Sequence, residues 1–562
     1  MATDVLKGLR HYDLIKVMVV GYCENCDAGI VPEAMGIAAV EALKDTVDQF
    51  DLTKRAPSAQ LVASVLENTS RPLDLSPSLL ARDFHKLITG KNLRFETLGW
   101  LLANAGRSWL FGLGIDYMKE GRQPSWKDQF IHEMLKASTT CLFLATLVSP
   151  PNDIMIWMFY ENLLFTSMMY GYSGEYLLLN TTRSPRLTYA GPPAWRRLGE
   201  LATQIYALGL HKESNGSHLP VFVLEIRRRV FGAAYNLDKT ISTFLGRPLR
   251  LSKRHTDIKH PLDLSDEELV SDPQTLELAC QSLDAEGWNT KGLYLRASWI
   301  RLRSMSSRFR EEILDFALSK LDECVEQQLL DISRRIRESW EMLPQQFRYW
   351  PGCWNEDIPS GVCLMLVVVY LTHFYNEFMI QKLLDHQPLT SNVALLRVSL
   401  DMLTSTLTVG TIRDRTYDVH RDFLHIVLLY GIPSGSVLAS ALQEQHQTSA
   451  PLPLSISRAE MIRTLSVLIS HLDAAAHLDG GARLGDGNYN LCRKAAKTFT
   501  RVIDAVLDEQ PITLGSIGSV SDDLNMNLDF FGAPGLDVFG SIDMTGTLWD
   551  GVDWSAIGQG TF

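Results

Sequence analysis

A long helix that must end abruptly constrains this chain more than any other feature. From Glu225 the sequence runs EIRRRVFGAAYNLDKTISTFLGRPLRLSKRHTDIKHPLDLSDEEL to Leu269. Val230, Ala234, Leu237, Ile241 and Leu245 recur at the three-and-four spacing of one helix face, which predicts a largely buried helix. Gly246 supplies a left-handed stop and Pro248 prevents the helix from resuming, so the chain must turn at Gly246-Arg247-Pro248. Asp238 then lies well inside a helix with apolar neighbours, where a carboxylate is tolerated only when paired or hydrogen-bonded. A buried partner is expected for it, with Arg247 the candidate. Three consecutive arginines, Arg227, Arg228 and Arg229, lie near the start of the segment.

Arg-Arg-Arg-x-Phe ending at Phe231, Asp238 in the same helix, Leu-Gly-Arg-Pro, and Asp257-Ile258 ahead of Pro261 together resemble the middle homology region of fungal-specific transcription factors. The resemblance marks Arg227, Arg228, Arg229, Phe231, Asp238, Gly246, Arg247 and Pro248 as its regulatory-domain motif. It implies an all-α regulatory domain, which in such proteins usually follows a DNA-binding cluster of six cysteines and two zinc ions. One departure is visible: the family commonly has Trp after the Phe, and here Gly232 stands there.

Composition narrows the remaining choices. A chain of 562 residues, 46% of them hydrophobic, can bury a substantial core as several domains or as one large helical array. The formal net charge of −12 argues against general attraction to nucleic acid or anionic membrane. Eight scattered cysteines do not read as a secreted disulfide framework, and a reducing compartment is expected. The longest apolar run, Val362 to Leu371, is too short to span a bilayer, and no signal-peptide core stands at the N-terminus. The sequons at Asn68, Asn180 and Asn215 are therefore expected to be unused. The predicted setting is soluble and intracellular, and the resemblance implies the nucleus.

The first sixty residues hold only Cys23 and Cys26, a lone Cys-x-x-Cys with no second pair and no basic run after it. Two zinc ions in a six-cysteine cluster need four ligands each, so these two are expected to be unliganded thiols near a helical start, and the cluster is expected to be absent. Residues 1–72 read as an acidic helical segment.

The resemblance covers residues 73–510. It takes in Asp83-Phe84-His85, the stretch from Gly90 to Gly99, and a helix through Leu98, Leu101, Leu102 and Ala105. Helices are predicted over 136–149, 152–171 and Trp195–Lys212. His211 near the end of the last is expected to be partly buried or capping, since no second ligand or partner base stands at useful spacing. Arg296, Arg303 and Arg310 fall seven apart on one predicted helix face, and with Glu311 and Glu312 following they read as an ordinary solvated helix. Trp340 with Leu343-Pro344 marks a helix end. Residues 362–384 predict a long buried helix, followed by helices over 397–410, 418–429, 457–472 and 488–507. Tyr430-Gly431-Ile432-Pro433-Ser434-Gly435 resembles a recurrent helix boundary of the family, and 445–455 reads as a loop. No strand alternation or repeat is visible. The expectation is one large all-α helical array.

After residue 510 the composition changes. Residues 511–562 contain seven aspartates, nine glycines and no Lys, Arg, His or Glu. Such a stretch cannot build its own core, and charge repulsion keeps its bulky side chains available, so a disordered acidic tail is expected. Leu528, Phe530, Phe531, Leu548, Trp549 and Trp554 are its candidate anchors for the apolar groove of a coactivator.

Phosphate loops, dinucleotide fingerprints, nucleophile elbows and His-Glu-x-x-His are all lacking, so no catalytic residue, cofactor or metal site is expected. Two functions fit. One is a regulator of a pathway gene set, in secondary metabolism or catabolism, acting through the helical domain and the activation tail. The other is a helical interaction or ligand-sensing protein that modulates a full-length zinc-cluster partner. Expected partners are a coactivator and a second copy or a DNA-binding relative, with direct DNA contact only through an upstream cluster and no membrane.

Overall fold

The computed structural model describes residues 1–110, 124–170, 193–216, 218–319, 325–384, 388–413, 425–475 and 487–508. Among these the regular structure is helical, with no strand. The first helices are α1 (Ala2–Lys7), α2 (Tyr12–Asn25), α3 (Glu33–Gln49), α4 (Ala59–Ser70) and α5 (Phe95–Leu110). Then come α6 (Pro124–Val148), α7 (Asp153–Tyr170) and α8 (Pro193–Ala207). The central pair is α9 (Val221–Leu245) and α12 (Arg296–Ala317), with short α10 (Asp266–Val270) and α11 (Pro273–Gln281) between them. The chain ends in α13 (Val325–Glu341), α14 (Ser360–Leu383), α15 (Val393–Arg413), α16 (Ile432–Thr448), α17 (Arg458–Ala475) and α18 (Gly487–Leu507). Residues 511–562, with their six candidate anchors, lie outside the described residues.

α5 is the axis of the N-terminal half, packing on α2, α6 and α7. α9 lies on α12 and also touches α7 and α8, while α12 continues the packing to α14. From α14 the contacts pass to α15, then α16, α17 and α18. One apolar core runs from Val5 to Val506, with a smaller aromatic cluster around Trp288, Trp299 and Phe347. A buried polar knot joins α2 to α5 and α7: Arg107 donates to Tyr22 Oη (2.7 Å) and to Glu161, and Tyr22 Oη donates to Glu161 (3.1 Å).

Four local expectations are corrected. α12 is a core helix rather than a solvated one: Arg310 is 6% exposed and donates to Asn376 and Thr243, and Arg296 reaches Asp266 and Glu33. The seven-residue arginine stripe thus faces neighbouring helices, because those helices supply polar partners that its own sequence does not reveal. α8 stops at Ala207 instead of Lys212, since Gly209 takes φ +70° and turns the chain. The Gly-Ile-Pro-Ser-Gly stretch is no boundary: a π-turn over Val427–Gly431 runs straight into α16. Pro433 cannot donate a backbone N–H; beside it, Ser434 Oγ donates to the carbonyl of Tyr430 one turn back (2.6 Å). Cys23 and Cys26 stand at the end of α2, not at a helical start.

α14 and the 393–410 part of α15 are long and apolar enough to cross a membrane by length and composition, so the apolar run at 362–371 belongs to a longer segment than the sequence suggests. Most of each window is buried against other helices, 67% and 61% respectively. This is the behaviour of core helices in a helical array.

Candidate functional site

The site grows from α9. Consecutive residues on a helix project about 100° apart, so Arg227, Arg228 and Arg229 reach three different neighbours. Arg227 donates twice to Asp153 at the start of α7, at 2.7 and 2.9 Å. Arg228 pairs with Glu213 and Glu225. Arg229, 1% exposed, donates to Asp266 (2.6 Å) and to the carbonyl of Leu264 (3.0 Å). The basic triplet therefore points inward, tying α9 to α7, to the 213–216 turn and to α10.

Asp266 is the busiest of these acceptors. Besides Arg229 it takes Arg296 Nη1 of α12 (3.0 Å) and the backbone N–H of Glu33 at the start of α3 (3.0 Å). Arg296 also reaches the Glu33 carboxylate (3.3 Å) and the carbonyl of Cys23. Burial alone would raise the Asp266 pKa, but Arg229, Arg296 and the Glu33 amide outweigh it and hold the carboxyl below its usual range. A capping box, Ser265 with Glu268, sets the start of α10 and so places Asp266.

The abrupt end of α9 builds the second part. Gly246 sits at φ 60°, ψ 35°, the left-handed conformation that a side chain disfavours. The chain reverses there and runs back over Asp238, whose carboxylate accepts the backbone N–H groups of Arg250 and Leu251, both at 3.0 Å, and Lys239 Nζ at 2.8 Å. Asp238 is thus buried and partnered, but not by Arg247. That guanidinium instead lies 5.7 Å from the centre of the Trp195 ring, beside Arg250 at 4.3 Å, because the turn carries it to the α8 side. Pro248 is exposed at the corner. Lys239 also pairs with Glu311 of α12 (3.2 Å), and Glu311 accepts the backbone N–H of Lys253 (2.9 Å), so α9, the returning loop and α12 share one buried network.

Gly232 occupies the contact between α9 and α12. A Cβ there would lie 3.3 Å from Ile300 Cγ2 and 3.4 Å from Ser304 Cβ. The helices approach too closely for a tryptophan. Alongside, Phe231 and Tyr235 stack at 5.9 Å and face the 253–260 loop across a cavity of about 210 Å³.

The other sequence candidates fall elsewhere. His211 is partly buried with its ring edge-on to Tyr206 at 4.9 Å, and burial lowers its pKa. Burial pushes the Cys23 thiol up to about 12, which keeps it protonated. Among the described residues no group of three or more His, Cys, Asp or Glu side chains is placed to hold a metal ion. Asp153, Glu213, Asp266 and Arg308 were not singled out from sequence. The Ser-x-x-Glu box was the one available signal, and it announces a helix start rather than an ion pair.

A buried helix carrying inward arginines, closed by a glycine turn over a buried aspartate, is the centre of this arrangement. Residues 187–323 match the model of the fungal specific transcription factor domain. Three curated proteins share stretches of 75 to 177 residues. Pyrimidine pathway regulatory protein 1 of Saccharomyces cerevisiae is 33% identical over 75 residues, 13% of this chain and 8% of that protein. Pyrrolocin cluster transcription factor fsdR of a fungal species is 27% identical over 177 residues, 31% of this chain and 21% of that protein. An uncharacterized transcriptional regulatory protein of Schizosaccharomyces pombe is 30% identical over 78 residues, 14% of this chain and 10% of that protein. The matches thus cover less than a quarter of any of these relatives. No solved structure matches the chain at a significant level.

Proposed function

We propose that the chain is a nuclear transcription regulator of a pathway gene set, in which the helical body over 73–510 regulates an activation segment at 511–562. The observation that carries this is the domain match at 187–323, which spans α8 to α12 and contains the arginine triplet, Asp238 and the glycine turn. The names of the relatives, two of them linked to a pathway or a gene cluster, support the same reading. In it, Leu528, Phe530, Phe531, Leu548, Trp549 and Trp554 dock into a coactivator groove while the aspartates attract its basic rim. DNA is reached through a zinc cluster upstream or through a second copy or relative that carries one.

The test is a reporter assay with the chain fused to an unrelated DNA-binding domain. Reporter expression should rise, and should fall to background when residues 511–562 are removed or when Phe530, Phe531, Trp549 and Trp554 become alanine together. Expression unchanged by the deletion would remove the tail's role. A fusion that never changes reporter output in either direction would count against regulation altogether.

A further inference from the structure

The cavity beside Gly232 is lined by three cationic side chains, Lys253, Lys259 and Arg308, and one carboxylate, Asp257. Its walls come from α9 (Phe231, Gly232, Tyr235), α12 (Ser304, Arg308) and the loop from Lys253 to His260. Arg308 is partly buried, yet no carboxylate, carbonyl or hydroxyl lies within hydrogen-bonding or ion-pair distance of it among the described residues. Arg296, Arg301 and Arg310 of α12 have oxygen partners, and Arg303 reaches the sulfur of Met365 (3.1 Å). Thr256 Oγ1 is buried without a partner, and Lys259 Nζ has no ion pair. The nearby carboxylates are already engaged: Asp257 by the Glu213 N–H (2.8 Å) and Lys212, Glu311 by Lys239, Tyr235 and the Lys253 N–H, and Glu312 by Arg335 and Lys253. Burial, together with Arg308, Arg301 and Lys253, pushes the His260 pKa down to about 3, so the imidazole is neutral and free to donate or accept. A partly desolvated guanidinium without a counter-charge costs stability unless something supplies one.

Size narrows the occupant. About 210 Å³ holds on the order of ten waters but falls short of the ~300 Å³ at which drug-sized ligand pockets begin. Phe231 and Tyr235 offer one apolar aromatic wall. We propose that this cavity binds a small organic anion, a carboxylate or phosphate monoester on a single-ring body, with Arg308 and Lys259 holding the charge, Thr256 and His260 hydrogen-bonding it, and the two aromatic rings covering its body. Gly232 adds no side chain to this wall. Because the same loop is held to α9 and α12 through Asp238 and Glu311, occupancy would tighten the contact between the two central helices.

The proposal stands apart from the reporter result, since it concerns binding to the purified chain alone. Benzoate, phenyl phosphate, inorganic phosphate and benzylamine are titrated at constant ionic strength, with melting temperature and calorimetric heat as readouts. Benzoate or phenyl phosphate should raise the melting temperature saturably, benzylamine should not, and the tighter of the two anions tells carboxylate from phosphate. Arg308→Gln and Lys259→Gln should each weaken binding about ten- to a hundredfold, as loss of a charge-assisted hydrogen bond does. Lys259 lies on an exposed loop, so its variant keeps the fold if Arg308→Gln does not. The proposal is overturned if neither aromatic anion binds, if benzylamine binds equally well, if inorganic phosphate alone binds, or if the folded variants bind like the parent.

Discussion

Arg229 and Asp266 show why a run of three arginines in an acidic protein need not be a surface feature. Arg229→Met removes one of three donors to the Asp266 carboxylate and leaves Arg296 and the Glu33 N–H in place. It should lower stability by about 1.5 to 3 kcal/mol, the range for a hydrogen bond to a charged group, read as a shift of the urea midpoint at unchanged slope. Arg254→Ala removes a pair whose side chains are 80% and 51% exposed, and should stay within about 0.5 kcal/mol of the parent. Equal effects from the two variants would mean that the inward triplet contributes no more than a surface pair. Gly246→Ala places a Cβ in the left-handed region and should cost about 1 kcal/mol. Asp238→Asn should cost more than that, because the two backbone N–H groups of the returning loop then lose a charged acceptor.

Between elements, the contact of α9 with α12 is the one most open to a single test. Gly232→Leu forces side-chain atoms into Ile300 and Ser304 and should destabilise by about 1 to 3 kcal/mol. An unchanged melting temperature would show that the helices can part without loss. The same pair shows what could be read from sequence. Periodicity located α9, and Gly246 with Pro248 located its end, because helix faces and stops are local properties of the chain. α12 reads as solvated from sequence because arginines seven apart look the same on a wheel whether they face water or neighbouring helices. What turns Arg310 inward is Asn376 of α14 and Thr243 of α9, and neither is near it in sequence. The π-turn before α16 was hidden for a similar reason: glycine, proline and serine signal a break locally, while burial of Tyr430, Ile432 and Pro433 holds the segment helical. Arg308 stood unnoticed beside Arg303 and Arg310, since lacking a partner is visible only once every neighbour is in place.

For the molecule as a whole, acid should be the sensitive variable. His260 and His373 are depressed to about 3 and about 4, in both cases chiefly by burial. A base whose folded pKa lies below its unfolded value of about 6.5 leaves stability full above that pH. Stability then falls as the unfolded chain takes up protons on acidification. The melting temperature should therefore drop from pH 6.5 toward 4, and Asp266, held below its usual range, should add a further loss below about pH 4. His373 packs against Trp340 at 4.5 Å, so His373→Phe should flatten the first part of this slope; an unaltered slope would assign it to other groups. Deleting residues 1–72 should leave an aggregated chain with little cooperative melting, because α2 and α3 bury the flank of α5 and reach Arg296. A soluble fragment with a sharp transition would make the N-terminal helices dispensable. The clasp of Arg296 on Glu33 and Cys23 joins residues 263 and 273 positions apart. At about 5 to 20 residues per second of synthesis, α2 and α3 wait roughly 14 to 55 s on the ribosome before their clasp exists. For that interval α2 and α3 can already pack on each other and on α5 but lack the arginine that closes their polar edge, and the rate of translation becomes part of how this chain reaches its fold.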